Sequence, residues 1–257
     1  MTKVRLGGMA LANGVLVHGP TSWACAIRTD SGEIKVAGAR KRLLGTRVQQ
    51  PFLRGPLRLA ESFAVIPALR RKLPEARLPF ERPVVLAATL ASALTVQVVR
   101  RSDRLGDAAR ELLSGALSLA PAVLALRGGE LAAYHGAEHV SIGTYEHGEK
   151  RAKEHERCGS HLIGPLLVTT AVGNVLAAKL PERARGTARV AASFGAVATA
   201  VEVFGWMIRN PKHPLSRALA KPGHELQHRL ATADPTRAQL DVAEAALAAC
   251  LELEDGG

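Results

Sequence analysis

"VAASFGAVATAVEVFGWMI", Val190 to Ile208, is a run of 19 residues with a single charge, Glu202. A helix that crosses a bilayer needs about 20 apolar residues, within a range of roughly 17 to 25. The run therefore reads as a membrane helix. Upstream, "LIGPLLVTTAVGNVLAA" (Leu162 to Ala178) carries no charge and is also long enough. Two shorter uncharged runs precede it, "VVLAATLASALTVQVV" (Val84 to Val99) and "LLSGALSLAPAVLAL" (Leu112 to Leu126). Arg82, Arg100 and Arg101 flank the first, and Glu111 and Arg127 flank the second. Flanking arginines complete short spans by reaching the headgroups with their charged tips. The alternative is a soluble helical bundle with an unusually apolar core. Four charge-poor runs favour the bilayer.

The remaining segments are polar and patterned. "GVLVHGPTSWACAIRTDSGEIKVAG" alternates apolar and polar residues around "TDSGE", which predicts a small antiparallel sheet over residues 8–38. Next, Leu57, Ala60, Ala64 and Ala68 recur at helical spacing, with Arg58, Arg70, Arg71 and Lys72 placed to meet headgroups and Pro67 to kink the helix. Near the C-terminus, Asp234 and Pro235 read as a helix start, and Leu240, Ala243, Leu247, Cys250 and Leu251 as its apolar face.

The expected fold is mainly α. It is a polytopic helical membrane protein with a small N-terminal antiparallel β region and a C-terminal amphipathic helix. Residues 1–49 form the β-rich region and 50–78 a basic interfacial helix. Residues 79–208 form a four-helix membrane region that carries the loop 128–161, and 209–257 a tail. No repeat of 20 to 50 residues is evident.

Charge and composition narrow the partners. A formal charge of +11 and a pI of about 10.2 point to polyanions, either nucleic acid or the anionic face of a membrane. Aromatics make up only 4% of residues, and no interleaving of aromatic and basic residues marks a nucleic-acid module. The expected partners are therefore membrane lipids, including anionic headgroups, and no specific nucleic acid. Mean hydropathy of +0.06 averages very polar with very apolar stretches. Cys25, Cys158 and Cys250 are odd in number and far apart, which argues against a disulfide framework. The opening residues lack the apolar core and cleavage pattern of a secretory signal. Most Lys and Arg lie in the N-terminal region, the 128–161 loop and the C-terminal tail. The positive-inside rule then places all three in the cytosol and the chain in the plasma membrane.

The chemistry gathers in "AYHGAEHVSIGTYEHGEKRAKEHERCGSH", Ala133 to His161, which holds five of the nine histidines. His135, Glu138 and His139 form H-x-x-E-H, which on a helix places both imidazoles on one face. In the inverted zinc-protease motif the same order gives two zinc ligands and a carboxylate acting on water. Gly136 inside the expected helix works against it. "HERC", His155 to Cys158, supplies an imidazole and a thiol 16 residues after His139. Two such pairs can supply the nitrogen and thiolate donors that zinc prefers. His147 and His161 do not share the pair spacing and read as solvated or interfacial side chains. Cys158 alone would read as a small buried hydrophobe.

"AYHGAEHVSIGTYEHGE" followed by "HERCGS" resembles the YqhQ-like bacterial family. So do "GGMALANGVLVHGPTSWACAIRTDSGEI", "PFLRGPLRLAES" and "LQHRLATADPTRAQLDVAEAAL", so the resemblance covers nearly the whole chain. It implies a multi-pass membrane protein and a metal-dependent enzyme of unsettled substrate. The matching positions are Tyr134, His135, Gly136, Glu138, His139, Tyr145, Glu146, Glu149, His155, Arg157, Cys158 and Gly159. Asn13 and His18 depart from the family's glutamate and arginine, the stretch between Glu149 and His155 is shorter than usual, and His224 and His228 stand where apolar or aromatic residues are expected.

Three readings follow. In the first, His135 and His139 bind a divalent metal, zinc above others, and His155 or Cys158 completes three protein ligands. Water takes the fourth position, Glu138 accepts its proton, and Tyr134 or Arg157 stabilises a developing oxyanion, so the protein is a hydrolase. In the second, His135, His139, His155 and Cys158 close a structural site in a membrane scaffold, with Glu138 orienting a histidine. In the third, no metal binds and the basic surface associates with anionic lipid or RNA.

Overall fold

The computed structural model describes residues 3–42, 48–102, 104–126 and 129–256. Arg127, expected to close the second apolar run, lies outside them, as does the first residue of the expected 128–161 loop.

Four strands, β1 (Gly7–Leu11), β2 (Gly14–His18), β3 (Ser22–Arg28) and β4 (Ile34–Arg40), form an antiparallel meander in chain order. The turn at "TDSGE" closes with Thr29 N–H donating to Glu33 O at 2.9 Å, and Gly32 supplies its positive φ of 87°. Period-two alternation sends Val15, Val17, Ala24 and Ala26 to one face, and Leu16, Trp23, Cys25 and Ile27 to the other. Both sets are buried, so β2 and the centre of β3 show no solvated face.

The helices explain this. The expected single interfacial helix is two, α1 (Arg54–Ala64) and α2 (Ile66–Lys72), broken at Val65. Val65 and Leu69, with Leu73 just beyond, cover the Leu16 face of the sheet, so this part of the segment is committed to the protein core. Exposed Leu57 and Phe63 stay on α1. The other face of the sheet is covered by α5 (Gly129–His147) and α9 (Arg237–Asp255). Three segments far apart in sequence therefore build one layered unit, helices on both sides of a sheet. α9 starts later than Asp234 and Pro235 suggest. Thr236 caps it, its hydroxyl accepting from Gln239 N–H, while the Gln239 side chain accepts from Thr236 N–H at 2.8 Å.

The remaining long helices are α3 (Pro83–Arg101), α4 (Asp107–Leu126), α6 (Ile163–Ala178) and α7 (Glu182–Arg209), packed in the order α3, α4, α6, α7. The stretches Pro83–Arg101, Gly159–Ala178 and Glu182–Arg209 are long and apolar enough to cross a membrane. The first expected run, short by its uncharged residues, thus gains length from flanking residues. α4 meets the same test only jointly with α5, from which it is bent by 90°. α4 carries Arg110 and Glu111 near its start and Pro121 inside it. A last helix, α8 (Pro214–Leu226), runs into a π turn at Gln227–Ala231.

One contact ties α1 to this bundle. Glu202, the lone charge of the run Val190 to Ile208, forms an ion pair with Arg54 and accepts from Phe52 N–H at 3.1 Å.

Candidate metal centre

Among the described residues, one group of side chains could hold a metal ion: His135, His139 and Cys158, whose donor atoms all lie within 4.8 Å of one another. α5 supplies both histidines at the i, i+4 spacing, and their ring centroids are 4.3 Å apart. Cys158 comes from the loop before α6, with its Sγ 3.6 Å from His135 Nε2.

The outer ring nitrogens show how the histidines are held. His135 Nδ1 lies 2.8 Å from Ala231 O, and His139 Nδ1 lies 2.6 Å from Lys153 O. A carbonyl can only accept, so both Nδ1 atoms carry a proton, and in the neutral ring it is Nε2 that has the lone pair. An imidazole that donates one N–H to a carbonyl and offers its other nitrogen is the usual arrangement of a histidine ligand. Burial, and then His135, hold His139 well below the ordinary histidine pKa, so it stays neutral. Burial raises the Cys158 thiol, which must lose its proton to act as a ligand. The residues present thus fit a borderline-soft divalent ion such as zinc.

His155 stands beside this group and not in it. Its ring centroid is 5.5 Å from that of His139. Nε2 meets Glu146 Oε2 at 3.1 Å, and Nδ1 accepts from Arg157 N–H at 3.3 Å, so both nitrogens are engaged elsewhere. Arg157 forms an ion pair with the same Glu146. Glu138, one turn after His135 and directly before His139, is buried, so close under Gly8 that a Cβ there would come within 2.3 Å of Glu138 Oε1. Burial pushes its carboxyl up to about 7, with His135 opposing that rise and Cys158 adding to it.

Tyr134 is placed elsewhere. It lies in the core formed by α5, α9 and the sheet, together with Val15, Ala24 and Val242, 3% exposed. One residue from His135 on a helix is a turn of about 100°, which directs it to the sheet and away from Cys158. Tyr145 OH accepts from Val4 N–H at 3.0 Å, and Glu149 is an exposed partner of Arg151. His161, expected to be solvated or interfacial, is buried, with Nδ1 3.0 Å from Gln227 Nε2. His147, His224 and His228 are exposed. Asn13 is a structural tie, donating to Arg28 O and Glu75 O and accepting from Arg77 N–H. His18 is buried, and neither ring nitrogen has a hydrogen-bond partner among the described residues.

Two positions were not singled out from the sequence. Gln227, fully buried in the π turn, accepts from His155 N–H at 2.9 Å and donates to His155 O and Ser160 Oγ, so it clamps the loop that carries Cys158. π turns are often found at functional sites. Ala231, at the end of that turn, supplies the carbonyl that orients His135. The one available signal was "LQHRL", where a Gln stands among helical residues.

Residues 130–253 match the family model described as "Protein of unknown function (DUF1385)". The match runs from the first turn of α5 into the last turns of α9. It thus includes the three converging donors, Gln227 and Ala231. No curated protein matches the chain, and no solved structure does.

Proposed function

We propose that this is a multi-pass membrane protein of the YqhQ-like kind, whose cytosolic unit is a zinc-dependent hydrolase. The carrying observation is the donor count: two Nε2 lone pairs and one thiol converge, while both nitrogens of His155 are engaged elsewhere. Three protein ligands with a free fourth position are the pattern of catalytic zinc, whereas structural sites fill all four. Bound there, zinc would supply Lewis acidity toward water and an ester or amide oxygen.

The chain's own residues do the rest. Glu138, with its carboxyl raised to about 7, is suited to taking up and returning a proton near neutrality. The carbonyls of Ala231 and Lys153 keep both imidazoles in one tautomer. Arg157, held by its ion pair with Glu146, would stabilise a developing oxyanion. For the membrane, the support is the exposed stripe Leu86, Leu90, Leu94 and Val98 on α3, each more than half exposed, together with Phe194 on α7 at 75%. Lipid is the solvent that such a stripe suits.

A second reading, a closed structural site, draws on the nearness of the His155 ring to His139. Glu138→Gln separates the two in a deletion strain complemented by variants. On the hydrolase reading the variant protein keeps zinc and fold but fails to complement, because an amide cannot accept the proton. Normal complementation by a zinc-loaded Glu138→Gln protein would overturn the hydrolase reading in favour of the scaffold.

A further inference from the structure

A cavity of about 520 Å³ opens beside the metal centre, with His155 in its wall. Its floor is apolar and belongs to the end of α7, where Phe204, Met207 and Ile208 line it. Its rim is basic, with Lys3 and Arg5 from the N-terminal strand side, Arg151 and Arg157 from the loop, and Arg217 from α8. Its acids are already committed. Glu146 pairs with Arg157 and His155, Glu154 with Lys153 and His228, and Glu156 with Arg151.

Arg5 and Arg217 have no acidic partner among the described residues. Arg5 lines the same cavity as Arg157, whose own charge Glu146 already meets. Arg5 and Arg217, two guanidiniums without a carboxylate lining one cavity, are an arrangement that an anion relieves. Ser216, 2% exposed, also lines the cavity, and its hydroxyl has no hydrogen-bond partner among the described residues.

We propose that this cavity binds the headgroup of an anionic glycerophospholipid, its phosphate between Arg5, Arg157 and Arg217 and its glycerol and first acyl carbons on Phe204, Met207 and Ile208. The apolar floor selects a lipid over a soluble phosphate, since it is part of a helix long and apolar enough to cross a membrane. Arginine suits the task because its planar fork meets phosphate oxygens in pairs. A phosphate held there lies against His155, one ring from His139. That the bound lipid is also the substrate class rests on the hydrolase reading; the binding itself does not.

The test uses the full chain, purified in neutral detergent and placed in phosphatidylcholine nanodiscs with phosphatidylglycerol added in steps. Native mass spectrometry counts each lipid retained per chain. The double variant Arg5→Gln/Arg217→Gln should lose affinity for phosphatidylglycerol by about tenfold or more, with phosphatidylcholine unchanged. A control that removes two arginines away from the cavity, Arg229→Gln/Arg237→Gln, should bind like the wild type. Equal losses in both pairs, or in neither, would overturn the site.

Displacement of phosphatidylglycerol by inorganic phosphate or glycerol phosphate at matched concentration would overturn the lipid assignment in favour of a soluble anion. Should the double variant melt early, Arg217→Gln alone and the competition on wild-type protein decide the question. Repeating the titration after chelation separates the two proposals. Phosphatidylglycerol binding by metal-free protein supports the cavity whatever the zinc content of His135→Ala shows, and its loss on chelation overturns a cavity that binds independently of metal.

Discussion

Gly136 on α5 lies so close to Ala233 that a Cβ on the glycine would fall 2.1 Å from the Ala233 carbonyl oxygen. The glycine that by propensity weakens the helical motif is the position at which the C-terminal segment lies against α5. There Ala233 N–H donates to Ala132 O at 2.9 Å, and two residues earlier Ala231 O reaches His135. Gly136→Ala gains helix propensity, about 1 kcal/mol at most. It also forces backbone apart, and overpacking typically costs about 1–3 kcal/mol. The expected outcome is a lower melting temperature and weaker zinc binding together. A variant that melts higher and binds zinc normally would contradict this contact.

His135→Ala, His139→Ala and Cys158→Ala should each lose zinc, measured by elemental analysis of purified protein. His147→Ala, His213→Ala and His224→Ala should retain it. His155→Ala is the informative member: with three protein ligands the zinc stays, and with four it leaves. Equal losses from all seven would point to nonspecific histidine binding.

Gln227→Leu keeps much of the volume but strands the His155 N–H and frees the loop bearing Cys158. Loss of an outer partner of a metal site typically costs about 10- to 100-fold in metal affinity. Zinc competition against a chromophoric chelator should show a drop in that range, with zinc still bound at saturation. An unchanged affinity would remove Gln227 from the support of the site.

His18 gives the sheet a pH dependence. Burial, and then Lys41, lower its pKa from 6.5 to about 3. The folded state therefore holds the neutral ring while the unfolded chain binds a proton below pH 6.5. Stability is complete above that pH and falls as pH drops toward 3. At two pH units below 6.5 the loss is about 2–3 kcal/mol. Melting curves between pH 7 and 4.5 should show it, and His18→Leu should flatten the slope. Parallel slopes in the two proteins would assign the acid sensitivity to other groups.

Arg54 and Glu202 should be strongly coupled. Removing one partner leaves the other charge without its counter-ion, whereas removing both does not. Arg54→Ala should therefore destabilise the detergent-solubilised protein more than Arg54→Ala/Glu202→Gln does. Additive effects across this cycle would mean that the pair is solvated and weak.

The wild-type protein should remain in the membrane fraction through high salt and alkaline carbonate, because the exposed stripes of α3 and α7 would be held by lipid contact and not by charge alone. Release by salt would overturn the spanning reading.

The sequence by itself determined what is periodic or continuous along the chain. The uncharged runs near Val84, Leu162 and Val190 became helices long and apolar enough to cross a membrane, because length and the absence of charge are local properties. The alternation from Gly14 to Arg28 placed the strands, and the i, i+4 spacing placed His135 and His139 on one helix face. Only the tertiary structure decided which thiol or imidazole meets them. The loop between α5 and α6 could have presented His155 or Cys158. The choice rests on Gln227, 72 residues after His155, and the tautomer of His135 rests on a carbonyl 96 residues away. Such pairings leave no period in the sequence, because they depend on where a distant segment returns. Gly136 shows the same point. As a residue in a helix it costs stability, and as the surface on which Ala233 lies it allows the carbonyl of Ala231 to reach the site.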